Sequence, residues 1–180
     1  MKGMVFTEFV ELVEEKFSPD LADQLIDECD LPSGGAYTSV GAYDHKEIIE
    51  LVSKLSEVCD LPVRDLIITF GQHLIGKFSE QFPEMFKKND LFSFLKSIHG
   101  HVHIEVKKLY PDAELPDIEA KQDGDTLTLR YFSTRPFADL AYGLIAGSIH
   151  YYGEQVVLER SNGEDSMSME ETFKLRRVVN

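Results

Sequence analysis

The sequence predicts an α+β protein: an N-terminal helical subdomain followed by an antiparallel sheet with packed helices. Two observations predict it. Apolar residues recur at three- and four-residue steps from Val5 to Leu109, and beyond Pro116 the period drops to two, with turn residues between strand-like runs. With 180 residues, 43% hydrophobic and 11% aromatic, the chain has apolar surface enough for a real core and is most simply one domain.

Val5, Phe9, Leu12, Val13 and Phe17 define the first helix, and Leu21, Leu25 and Ile26 a second that starts at Ser18-Pro19. Leu31-Pro-Ser-Gly-Gly35 and the residues to Gly41 read as a surface loop. Asp44 is placed to cap a helix bearing Ile48, Leu51, Val52 and Leu55, and Leu61-Pro-Val63 restarts a longer one through Phe78. Asn89-Asp90 then precedes one helix whose positions 91, 95, 98, 102 and 109 form an apolar stripe, ended by Tyr110-Pro111. A Gln-Asp-Gly-Asp turn at 122–125 joins two alternating strands. Pro136 opens a helix carrying Phe137, Leu140, Ala141, Leu144, Ile145 and Ser148, and strands are expected at 155–160 and 168–178, joined by a turn at Ser161-Asn-Gly-Glu-Asp165.

Charge and cysteine usage exclude several functions. Thirty-two acidic against 18 basic residues give a formal charge of -14, which repels phosphate backbones and anionic lipid and so argues against nucleic acid or a membrane as ligand. The N-terminus reaches Glu8 before a signal-length apolar run, and Leu140–Ile149 is about half a membrane span. Two cysteines, Cys29 and Cys59, fit a reduced, cytoplasmic protein.

The chemistry concentrates in Ser97-Ile-His-Gly-His-Val-His103 and, 28 positions after it, Tyr131-Phe-Ser-Thr-Arg135. On a strand His99, His101 and His103 would share a face and could hold zinc. On a helix, at about 100° per residue, His101 points away and one metal cannot take all three. The apolar stripe favours the helix. His103 lies on its edge, where an imidazole can serve as a single axial ligand, with His99 one turn away as the competitor.

In an extended backbone Tyr131, Ser133 and Arg135 point to one side, so a phenol, a hydroxyl and a guanidinium converge on an anionic target. Taken alone, the trio also describes a strand end whose arginine pairs with a nearby acid. Beside His103 it reads as a clamp for the two propionates of a haem. The chain has no Cys-x-x-Cys-His, so the expected cofactor is non-covalent haem b (iron protoporphyrin IX).

Met1-Lys-Gly3, Phe78-Ser-Glu-x-Phe-Pro83, His103 with Pro116 thirteen residues on, Tyr131-x-Ser-x-Arg135 and Gly143-Leu-Ile-x-Gly147 together resemble the H-NOX (haem nitric oxide/oxygen-binding) domains, stand-alone bacterial type, related to the haem domain of soluble guanylate cyclase. The likeness runs over essentially the whole chain. It implies one sensor domain with haem between a distal helical subdomain, mainly 1–62, and a proximal helix and sheet subdomain, 63–180. It implies His103 as iron ligand, Tyr131, Ser133 and Arg135 on the propionates, Pro116 against the porphyrin, and a distal wall of Val5, Phe9, Leu74, Phe78, Leu140 and Leu144. Oxygen-binding members carry a distal tyrosine where this chain has Leu140.

Bound O₂ takes on negative charge and gains from a donor, whereas NO binds ferrous haem without one, so the expectation is an NO sensor, also taking CO, that excludes O₂. NO binding should weaken the iron bond to His103 and change a surface. By the same resemblance, the listener is a separate histidine kinase or cyclic-di-GMP enzyme, and the chain itself is no enzyme. The alternatives are a haem carrier or redox protein without a signalling role, which would show six-coordinate iron, and a zinc hydrolase, which needs His99, His101 and His103 on a strand.

Overall fold

The computed structural model describes residues 1–161 and 169–178, and the chain divides into two compact units, Met1–Phe70 and Gly71–Asn180. The expected turn over 162–165 lies outside the described residues.

The first unit holds α1 (Gly3–Lys16), α2 (Pro19–Glu28), α3 (His45–Cys59) and the first part of α4 (Val63–Gln81). Local signals start α2 and α3 as the sequence predicts. Ser18 Oγ accepts the Leu21 amide at 3.1 Å with Pro19 in the first turn, and Asp44 accepts the Lys46 amide at 3.0 Å. Phe6, Phe9, Leu12, Leu25, Leu51 and Leu55 are buried, and Phe9 meets the edge of Phe70 at 5.3 Å between centroids. Gly3 has a steric reason: a Cβ there would lie 1.8 Å from the Thr38 carbonyl oxygen, because the Gly3 amide donates to the Gly41 carbonyl at 2.8 Å and draws the loop close.

The second unit contains the rest of α4, a short α5 (Pro83–Phe86), α6 (Leu91–Ser97), a π turn (Ile98–Val102), α7 (His103–Leu109), β1 (Asp117–Asp123), β2 (Thr126–Phe132), α8 (Ala138–Tyr152), β3 (Val156–Arg160) and β4 (Glu170–Arg177). The four strands form one antiparallel sheet in the order β1-β2-β4-β3. Leu127, Leu129 and Tyr131 alternate into the core with Phe173 and Leu175 opposite, and Leu91, Phe92, Phe94 and Leu95 of α6 and Ile145 of α8 complete it.

The expected helix over 90–109 is three pieces. The His103 amide donates to the Ile98 carbonyl, an i→i+5 bond that admits one extra residue into the turn. Gly100 has no side chain to pack, and Ile98 and Val102 are only partly buried against the core, so packing holds the tighter α geometry weakly there. The helix expected to open at Pro136 begins at Ala138, after bends over 134–136. The one expected to end at Phe78 runs on to Gln81, and α5 was not foreseen.

Candidate functional site

His103 opens α7 where the π turn ends. Its imidazole is half-buried and has no hydrogen-bond partner among the described residues. Burial, then the neighbouring His99 and Lys107, lower its pKa to about 4 against the opposing pull of Asp117. The ring is therefore neutral at pH 7, with a free lone pair, which is the state a metal ligand requires. His99 is its ring neighbour at 6.4 Å between centroids, but is exposed and lies 3.9 Å from Asp117; His101 is exposed. The segment is helical, so the zinc reading loses its premise, and the described residues contain no group of three or more His, Cys, Asp or Glu able to hold a metal ion.

Tyr131, Ser133 and Arg135 do come together, by a different route from the one strand alternation predicts. β2 ends at Phe132; the Ser133 amide donates to the Met169 carbonyl at 2.8 Å, and Ser133 Oγ accepts the Arg135 amide at 3.1 Å. A turn closed by a serine side chain, not an extended strand, brings Arg135 back towards Tyr131. The Tyr131 phenol is buried, which raises its pKa, while a hydrogen bond with the Ser133 side chain and the Arg135 charge pull the other way. The Arg135 guanidinium pairs with Glu114 from the link between α7 and β1, so the strand-end ion pair that the sequence left open as the plainer reading does form. Pro116, half-buried, ends the same link.

The apolar positions divide between the units. Val5 is half-buried and Phe9 buried in the first; in the second Leu74 is buried, and Phe78, Leu140 and Leu144 are half-buried. The backbones of α4 and α8 approach closely at Gly71, where a Cβ would lie 2.7 Å from the Leu140 carbonyl oxygen and 2.8 Å from Gly143 Cα and the Leu144 nitrogen. Tyr142 turns to the sheet, its ring 6.3 Å from that of Phe173 and 6.0 Å from the Arg160 guanidinium carbon.

Within the second unit the donor types suit a flat dianionic metal macrocycle: one neutral imidazole, a cation flanked by two hydroxyls, and apolar side chains on α4 and α8. Sequence reasoning missed the π turn and Glu114. A glycine inside the helical pattern was the only signal for the first, and pairing over 21 positions left none for the second.

The profile of the haem-NO-binding family matches residues 2–160. This chain belongs to the haem-NO-binding, or H-NOX, family. Among solved structures, the H-NOX protein from K. algicida in its Fe(II) unliganded form is 32% identical, with a TM-score of 0.91 over 100% of this chain and 98% of that one. The H-NOX from Shewanella woodyi, in the Fe(II)CO ligation state, is 40% identical over 99% of this chain and 95% of its own, with a TM-score of 0.83. The H-NOX protein from S. oneidensis in the Fe(II)NO state, 23% identical, shares the fold at a TM-score of 0.91 over 99% of this chain and all of that one. No curated relative matches.

H-NOX domains are haem-binding gas-sensor domains, in general not catalytic, and their mixed fold of helices with a four-stranded antiparallel sheet is the one found here. No helix among the described residues is long and apolar enough to cross a membrane.

Proposed function

We propose that this H-NOX chain acts as one haem b domain that senses nitric oxide in the cytoplasm and signals to a separate protein, with a histidine kinase or a cyclic-di-GMP enzyme as the leading candidates. The observation that carries the reading is the His103 imidazole, neutral, half-buried and without a hydrogen bond among the described residues at the mouth of a π turn. His103 would hold the iron of a bound haem, which would supply a ferrous centre able to take NO or CO. Tyr131, Ser133 and Arg135 would hold the propionates and Pro116 would border the ring. Leu74, Phe78, Leu140 and Leu144 offer no hydrogen-bond donor, which favours NO over O₂. The π turn and α7 that carry His103 hold no fully buried residue, and Ile98, Val102 and Val106 are only partly buried against the core, so a movement of His103 would give up less packing than one of α6.

Absorption spectra of the reduced protein under nitrogen, air, CO and NO test this, beside His103→Gly. The expected result is five-coordinate ferrous haem, stable CO and NO complexes, and no oxy complex in air. Absence of a Soret band after reconstitution, or iron already ligated by protein on both faces, would sink the sensor reading; an oxy complex would overturn the role given to Leu140.

A further inference from the structure

Arg135 already holds a carboxylate. Its guanidinium side chain is 16% exposed and ion-paired with Glu114, whose own side chain is 68% exposed. The Arg135 backbone is fixed by Ser133 Oγ, so only side-chain rotation is needed to exchange one carboxylate for another. Glu114 sits in the link between α7 and β1, beyond a turn in which the Ala113 amide donates to the Tyr110 carbonyl at 3.0 Å, and among the described residues Arg135 is its only hydrogen-bond partner. Solvent reaches it, so its release costs little. With Glu114 in place the clamp carries no net charge: an arriving carboxylate meets two hydroxyls and a guanidinium already neutralised.

We propose that Glu114 is a built-in competitor for the Tyr131, Ser133 and Arg135 clamp, a positioning residue that loosens the hold on a carboxylate-bearing cofactor by sharing its cation. This rests on the haem reading above. It predicts that removing the Glu114 charge tightens the cofactor site, the reverse of what loss of an ordinary structural ion pair would do. The effect acts through Arg135 and is electrostatic, so it shrinks as salt is raised.

The test is the rate of haem transfer from the reconstituted full chain to excess apomyoglobin, measured for wild type, Glu114→Gln, Glu114→Asp, Arg135→Gln and the Glu114→Gln/Arg135→Gln double variant. Glu114→Gln should slow haem loss about three-fold, the scale of a partly exposed ion pair. Glu114→Asp should stay near wild type, and in the Arg135→Gln background the Glu114 change should have no effect. Faster or unchanged loss in Glu114→Gln overturns the proposal, as does equal slowing without Arg135. Failure of the underlying reading looks different: wild type takes up no haem, or Arg135→Gln retains it as well as wild type, and the proposal falls with it.

Discussion

α6 and α7 belong to one apolar stripe in the sequence, yet the molecule treats them as opposites. In α6, Leu91, Phe92, Phe94 and Leu95 are all buried. Its start is tied down three ways: Asp90 accepts the Ser93 amide at 2.7 Å, Glu154 accepts the Leu91 amide at 2.7 Å, and Arg177 lies 4.2 Å over the Phe92 ring while pairing with Glu154 at 2.8 Å. In the π turn and α7 no residue is fully buried: Ile98, Val102 and Val106 pack only partly on the core, and Ile104 and Leu109 are 50% and 55% exposed. His103 stands on the loose side of that boundary. Under the proposed function His103 is a ligand able to leave, and such a ligand is cheapest to move where few contacts are lost, while the motion reads out clearly only if the other end stays fixed.

The largest expected effect breaks the fixed end. Phe92→Ala removes a fully buried ring and should cost about 3–5 kcal/mol in equilibrium urea unfolding of the protein. A loss below about 1 kcal/mol would mean that α6 is not the anchor.

Changing His103 separates chemistry from stability. His103→Gly should cost about 1 kcal/mol, the ordinary cost of a glycine in a helix, since the ring has no hydrogen bond to lose among the described residues. The same variant should lose the wild-type ferrous haem spectrum and regain one like it when free imidazole is added. A variant with an unchanged spectrum would remove His103 from the iron.

Acid should reach the two halves at different pH. His103 has its folded pKa lowered to about 4 from 6.5, so in the apoprotein its contribution is complete above about 6.5 and is lost as pH falls towards 4, where an opened chain binds a proton that the folded one refuses. Asp90 also has a lowered pKa, chiefly through the Ser93 amide, from an ordinary value of 3.8. Its contribution is complete above that value and lost only at still lower pH. Amide exchange followed by segment should show 98–109 opening before 91–97 as pH is lowered; simultaneous opening would make the stripe one cooperative unit. Asp90→Ala should cost about 1 kcal/mol as a lost cap.

The contrast was half legible in the sequence. Periodicity located both halves of the stripe and Asn89-Asp90 marked its start, because helix patterning and capping are local. It also singled out His103 from a histidine cluster and the trio Tyr131, Ser133 and Arg135. The π turn escaped, since a wider turn changes the hydrogen-bond partner and not the residue types that a helical pattern needs. The trio's geometry escaped in part, because alternation assumes that the strand continues, and here the Ser133 hydroxyl ends it by taking the Arg135 amide. Burial was the least legible quantity. Positions 91 and 109 share the stripe, and only the sheet's placement under α6 makes one core and the other surface.

Leu109→Ala carries the smallest expected effect and the sharpest comparison. A leucine on an apolar stripe would lose about 2–5 kcal/mol on truncation if the stripe were buried throughout. With 55% of Leu109 exposed and no buried neighbour in α7, the loss should stay below about 0.5 kcal/mol in the same urea titration. Set beside Phe92→Ala, the pair measures how steeply support falls across the π turn. A cost for Leu109→Ala approaching that of Phe92→Ala would mean that α7 is docked as firmly as α6, and that release of His103 would have to be driven against packing rather than into solvent.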